Sequence, residues 1–559
     1  MIYYTLVMQP LGYLYLIEKF KLQVCDLLLK CYATNESKNR VVMDHSREVR
    51  YYSYNRTSFG DTWEQNLLFA IKHEGVNLEV LKAFFAICDE SSLRDLILSV
   101  PTGAYYRRIW FFYELLTGKR LDIADVSVGN YVKAVDPDLQ FACSAKSAKK
   151  VRRYRVLNNL AGDSVFCPMV RMTENIRKLN AEELKNKSSR ILKQYPQDLL
   201  YRAVQYLYVK ETKSSFAIER ETPTHKKMAA FVALLKGMSV LPVTKNSLVD
   251  LQNRIVEERY KQRDWRTTQS YVGQTISPAY EKVHFVAVKP EDIDDIMAGF
   301  LNALEKVLSS DGCDPVIVAA VMSFAFVFIH PFEDGNGRIH RYLMHYVLAR
   351  TAFSPENMIF PVSAVLLKKT REYDRMLETF SIRLLESIDY DMNQDGEISV
   401  NGDSVDFYRY IDFTPIVESF QRVIEETIET EWKVELDYLV SYDRIRKGMV
   451  AIVEMPEKKA NQFILFVNQN NGTLSAAKRG KFPELSDAEV SALEKVICDE
   501  MRAAKKVESC GQAVDLAEMG TSEAVVNEIK DVSSKPLSVG SEGENIVIGN
   551  SEVVTGAAK

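Results

Sequence analysis

Residues 314–341 constrain this chain more than any other stretch, because they set an apolar helix, a glycine-turned loop and a basic helix start end to end. Asp314 and Pro315 read as a helix start, the aspartate capping it and the proline filling the first turn. The apolar run Val316–Ile329 is well short of a bilayer span and predicts a helix buried in a protein core. His330 to Arg341 follows as HPFEDGNGRIHR. Gly335, Asn336 and Gly337 let the backbone turn sharply and point successive N–H groups at an anion. Ile339, Leu343, Tyr346 and Val347 recur at helical spacing, so a second helix aims its N-terminus at the same place. Arg338 and Arg341, three apart, offer two phosphate-binding forks. His330 suits a general base and Asp334 a Mg²⁺ ligand. Any one of these residues has an ordinary explanation as a cap, a turn or a surface charge. Their fixed spacing across two helices points to a nucleotide phosphate site.

The segment closely resembles the signature of the Fic family, HPFx(D/E)GNGRxxR, with every fixed position matched. The resemblance implies transfer of AMP from ATP to a protein Ser, Thr or Tyr hydroxyl. It implies His330 as the base that deprotonates the hydroxyl, which then attacks the α-phosphate and expels pyrophosphate. Asp334 would hold Mg²⁺ (or Mn²⁺). Gly335, Asn336 and Gly337 would form the anion hole, with Asn336 reaching the α-phosphate and Arg338 and Arg341 the outer phosphates. Phe332 would anchor the loop in the core, while Glu333 and His340 fall at variable positions and carry no role.

Upstream, Ser214-Ser215-Phe216-Ala217-Ile218-Glu219 is similar to the family's inhibitory motif, (S/T)xxxE(G/N). Ser215 and Glu219 are four apart and share a helix face. The resemblance implies that Glu219 pairs with Arg341 and blocks a productive γ-phosphate position, since an arginine held by a carboxylate is a poor phosphate ligand. Arg220 departs from the pattern by standing where Gly or Asn is usual. Trp265 to Gly273 (WRTTQSYVG) resembles the lead-in to the family's substrate flap, with Val283 to Val288 as a short strand closed by Pro290. Such a hairpin receives an extended piece of the target by main-chain pairing. Phe360 to Ala364 and Arg371 to Leu377 also look like the end of such a core. Asp391 to Gly396 starts like an EF-hand loop, but its twelfth position is Gly402 where a glutamate is required, so a hairpin turn is the better reading.

The expected architecture is mostly α: a Fic-type helical core with a short β-hairpin flap, flanked by helical N- and C-terminal domains. Its 559 residues allow about three domains. Residues 1–200 form a helical N-terminal region, with helices such as Trp63 to His73, Leu78 to Cys88 and Ile109 to Arg120. Residues 201–240 carry the inhibitory helix, and 241–390 the core, with a flap at 281–290 and the signature at 330–341. Residues 391–504 form a helical C-terminal domain, and 505–559, rich in Ser, Gly and Glu, a flexible tail. A turn at Asn470-Asn471-Gly472 followed by Leu474 to Arg479 makes a candidate winged or helix-turn-helix element, which leaves nucleic acid open as a partner.

The formal charge of -5 carries no global nucleic-acid signature. Eight cysteines without CxxC pairs indicate neither a zinc framework nor a disulfide scaffold. The N-terminal apolar stretch is interrupted by Pro10, Gly12 and Glu18, which favours folded protein over a signal peptide and places the chain in the cytoplasm without membrane contact. The leading function is therefore an autoinhibited adenylyltransferase using ATP and Mg²⁺, with a protein target at the flap. Self-modification and homo-oligomerisation stay open. The alternatives are a deAMPylating hydrolase in which Glu219 orients water, or a regulatory DNA-binding protein using the core as a nucleotide sensor.

Overall fold

The computed structural model describes residues 8–44, 47–54, 60–238, 242–277, 280–355 and 358–507. The fold is mostly helical. Its largest apolar core is built on helices α1 (Gln197–Ile218), α2 (His225–Gly237), α3 (Lys245–Ile255), α4 (Ile293–Ser309), α5 (Pro315–Ile329) and α6 (Asn336–Arg350). Helix α5 sits at the centre because almost every side chain on it is apolar and every face finds a neighbour. Each fully buried Val, Ile or Phe there contributes about 1.5–3 kcal/mol. Asp314 caps it through Oδ1, which accepts from the N–H groups of Val316 (2.8 Å) and Ile317 (3.1 Å). Its Oδ2 accepts from Ala181 N–H, tying the segment before α1 to the same helix start.

Between α3 and α4 an antiparallel hairpin forms from β1 (Tyr271–Ser277) and β2 (Tyr280–Val286). It lies earlier and runs longer than a flap at 281–290 would. Alternation is weak in the first strand and Gly273 sits at a register shift, which hides the strand from a pattern reading. Beyond Val286 the chain leaves the hairpin, and Pro290 opens a 3-10 turn into α4.

After Val362–Lys368 and Thr370–Leu385, the strands Asp389–Met392 and Ile398–Asn401 pair as a hairpin, so the stretch that starts like an EF-hand is a β-turn with Gly396 at φ 80°. From Thr414 to Ile452 the chain is helical throughout, with one π-helical turn at Thr427–Trp432. Residues as far as Leu439 pack into the central core, whereas Ile445 to Ile497 build a small separate one. In that small core Glu457–Gln469 is followed by a single helical turn, Ala476–Arg479, in place of a recognition helix. Arg479 there bonds the carbonyls of Phe482 and Leu485 and the carboxylate of Asp487. The last helix is Asp487–Val507, and the expected tail falls, from 508 on, outside the described residues.

The N-terminal region, expected to be mostly helical, also holds sheets. Helices Trp63–Phe69, Leu78–Ile87 and Ala104–Thr117 stand as expected, but a four-stranded sheet and a three-stranded one accompany them. The strands are two to seven residues long and carry charged and polar side chains, too short for a period-2 signal to outweigh the helical pattern around them. Among the described residues no helix is long and apolar enough to cross a membrane.

Candidate active site

His330 ends α5. Its backbone is left-handed (φ 57°, ψ 58°) and its N–H bonds Phe326 O. Nδ1 lies 3.1 Å from Val327 O, which assigns the proton to Nδ1 and leaves the Nε2 lone pair available. Burial, followed by the charge of Arg266, pushes the imidazole down to about 4. It is therefore neutral near pH 7, the state a general base needs.

Arg266 was missed in the sequence. It lies inside the flap lead-in, yet its buried guanidinium donates to the carbonyls of His330 (2.7 Å), Thr268 (2.5 Å) and Val288. Its own N–H bonds Pro331 O at 2.8 Å. One side chain thus ties the loop after α5 to both ends of the flap. A lone Arg in a polar run gives no sign of such a partnership.

Asn336 closes the loop on itself. Its Oδ1 accepts from Phe332 N–H (3.0 Å) and its Nδ2 donates to Phe332 O (2.6 Å), so the buried amide bonds the loop backbone. Phe332 is fully buried against Trp265 and Phe326. Gly335, at φ 96°, makes the turn that only glycine makes without strain, and α6 starts directly after it. Helix geometry leaves the N–H groups of residues 336–338 without an intrahelical acceptor, the condition for an anion nest.

Both arginines of the signature are buried on α6 and both are engaged. Arg341 donates from Nε to Ser215 Oγ (2.8 Å) and from Nη2 to Ser215 O (2.8 Å) and Glu219 Oε1 (2.7 Å). Arg338 donates from Nη1 to Glu221 Oε2 (2.9 Å) and Ile255 O (3.0 Å), and from Nη2 to Asp334 Oδ1 (2.8 Å). Arg341 Nη1 and Arg338 Nε are buried with no hydrogen-bond partner among the described residues, which suits an anionic ligand that would supply acceptors. Desolvation raises the Glu219 carboxyl, but the charge and hydrogen bond of Arg341 outweigh it and hold the group below the usual carboxylate range. Glu219 also leans on the nest: a Cβ at Gly337 would stand 2.1 Å from its Oε1, so glycine is what allows the contact.

The end of α1 explains how two carboxylates reach two arginines. The N–H of Glu221 bonds Phe216 O and that of Arg220 bonds Ala217 O, a Schellman termination. It requires a left-handed residue, and Arg220 supplies it at φ 57°, where glycine or asparagine would sit without strain. The turn presents Glu219 to Arg341 and Glu221 to Arg338. Glu221 was not singled out in the sequence, although the Glu-Arg-Glu spacing past a helix end was its available signal.

One turn further back, Glu211 Oε1 lies 2.8 Å from His345 Nε2 and also accepts from Ser363 Oγ, and Oε2 accepts from Ser363 N–H (2.9 Å). Glu211, Ser215 and Glu219 therefore form a stripe at four-residue spacing facing His345 and Arg341 on α6. Tyr373 is core, packed on His340 and Phe324. Asp334 is partly exposed at the loop and, as a single carboxylate beside a nest, has the donor chemistry that suits Mg²⁺ shared with phosphate oxygens.

A Fic/DOC family profile matches residues 242–348. The protein adenylyltransferase Fic of Culex quinquefasciatus is 31% identical over 142 residues, which are 23% of this chain and 26% of that protein. The protein adenylyltransferase fic-1 of Caenorhabditis elegans is 35% identical over 97 residues, 17% of this chain and 16% of its own. The chain thus spans about a quarter or less of the length of these relatives. A Fic family protein from Desulfovibrio desulfuricans, of known structure, aligns over 60% of this chain and 90% of its own at 17% identity with a TM-score of 0.34.

Proposed function

Because residues 242–348 are a Fic/DOC-family domain, we propose that this chain is an autoinhibited protein adenylyltransferase, moving AMP from ATP to a Ser, Thr or Tyr hydroxyl of a protein. The observation that carries the reading is the double engagement of Arg341 by Ser215 and Glu219 beside the helix start that offers a phosphate nest. The target hydroxyl approaches along the flap, and His330 Nε2 takes its proton as the oxygen attacks the α-phosphorus. The bond between the α-phosphorus and the bridging oxygen breaks, and pyrophosphate leaves. The backbone N–H groups of residues 336–338 face the charge that develops on the non-bridging oxygens. Arg338 and Arg341 bind the outer phosphates once their carboxylate partners withdraw. Asp334 would hold a divalent cation, which supplies charge neutralisation for the polyphosphate when bound.

In the resting state Glu219 takes the Arg341 donor that the γ-phosphate requires, so ATP binds without the orientation that exposes the α-phosphorus to attack. The test incubates wild type, Glu219→Gly and His330→Ala with each labelled nucleoside triphosphate and Mg²⁺ or Mn²⁺, and reads the adduct by mass spectrometry. An AMP adduct that rises at least about tenfold in Glu219→Gly is expected, as the loss of a charged hydrogen bond implies, with none in His330→Ala. Absence of any nucleotide adduct in Glu219→Gly, or an undiminished one in His330→Ala, contradicts the proposal.

A further inference from the structure

The N-terminal sheet ends on a strand that the described chain leaves uncovered. Arg47–Ser53 pairs with Leu29–Thr34 on one side and with Arg40–Asp44 on the other, and no further strand flanks Arg40–Asp44 among the described residues. Alternate N–H and C=O groups along such an edge point outward and offer themselves to another strand. Folded proteins normally blunt an edge of this kind with a charge, a proline or a bulge in the middle of the strand. Here the middle is Val41-Val42-Met43, 60%, 36% and 61% exposed. The charges stand at the two ends, Arg40 and Asp44, both exposed.

We propose that this edge joins two copies of the chain through antiparallel pairing about a two-fold axis at Val42. In that register Arg40 of one copy stands opposite Asp44 of the other, Val41 opposite Met43, and Val42 opposite itself. Every cross-strand pair is then either oppositely charged or apolar, the two combinations that stabilise neighbouring strands. Parallel pairing in the same register sets Arg40 against Arg40 and Asp44 against Asp44, which is unfavourable. A strand whose charge pattern complements its own reversal is what an isologous interface requires, and an unrelated peptide would match it only by chance. Arg40 also reaches Glu36 at 3.1 Å and lies over the Tyr51 ring at 4.3 Å, which steadies its guanidinium beside the edge. The two four-stranded sheets become one continuous sheet across the axis. Five residues a side make a small interface, so the association is weak and depends on concentration.

Sedimentation equilibrium of the full chain from low to high micromolar concentration tests this. The wild type should shift toward twice the monomer mass. Val42→Lys, and separately Arg40→Asp, should stay at monomer mass where the wild type is dimeric. The double swap Arg40→Asp with Asp44→Arg should regain the dimer, because it restores the charge pairing in reverse. These side chains are exposed, so the variants keep the fold, which circular dichroism checks. A wild type that stays monomeric at every concentration overturns the inference, and so does a dimer whose mass none of these changes alters.

Discussion

His330 combines two properties that rarely meet in one residue, a left-handed backbone and an imidazole desolvated enough to stay neutral. The first ends α5 at this residue, and the second follows from burial reinforced by Arg266. Because the imidazole is pushed down to about 4, it is already deprotonated throughout the neutral range and gains a proton only as the pH falls through that value. Glu219 opposes this effect, so removing it leaves the imidazole low. The acid limb of the pH–rate profile for AMP transfer by Glu219→Gly should therefore lie well below 6.5, the usual histidine value. A limb at 6.5 or above would mean that a different group, or a differently placed His330, sets the protonation state.

At the scale of single elements, the end of α1 is the device that matters. Its Schellman turn aims one glutamate at each buried arginine, and Arg220 adopts a left-handed conformation to allow it. A left-handed non-glycine residue costs about 1–2 kcal/mol. Arg220→Gly should therefore raise the thermal midpoint without releasing the contact between Glu219 and Arg341, and a lowered midpoint would show that the Arg220 side chain itself holds the turn. The sequence exposed part of this design. The stripe of Ser215 and Glu219 was legible because helical spacing places both on one face, and the signature was legible because its glycines and arginines sit at fixed offsets. Arg266 was not legible, since it acts through a partner 64 residues away, and Glu221 was marked only by its spacing past a helix end, its partner lying 117 residues away. Asn336 bonds the backbone of Phe332 as well, since a buried loop must satisfy its own backbone groups, and this second contact is not visible in the sequence. The first flap strand and the N-terminal sheets escaped for a related reason: strands this short are fixed by pairing, which a single sequence does not display.

At the scale of the whole molecule, α1 is gripped from two sides. One face meets α6 through Glu211, Ser215 and Glu219, and the other meets the helical stretch 414–452. There Lys210 Nζ lies 2.7 Å from both Glu431 and Glu435, two buried carboxylates, and Arg202 pairs with Asp443. Helix α1 is therefore an integral part of the core, and the turn that carries Glu219 lies at its end. Lys210→Met leaves the buried Glu435 short of a cation, while Glu431 keeps Lys368, and should destabilise the fold by about 3 kcal/mol in urea unfolding. A loss near zero would place the Glu435 carboxylate in water. The central claim is that the cradle between α5 and α6 holds a polyphosphate once Glu219 withdraws, and the most direct measurement is a crystal structure of Glu219→Gly with a non-hydrolysable ATP analogue and Mg²⁺. The account predicts phosphate oxygens on the N–H groups of residues 336–338, with Arg338 and Arg341 on the outer phosphates and the α-phosphorus facing His330 Nε2. A nucleotide bound elsewhere, with both arginines still turned to their protein partners, would contradict it.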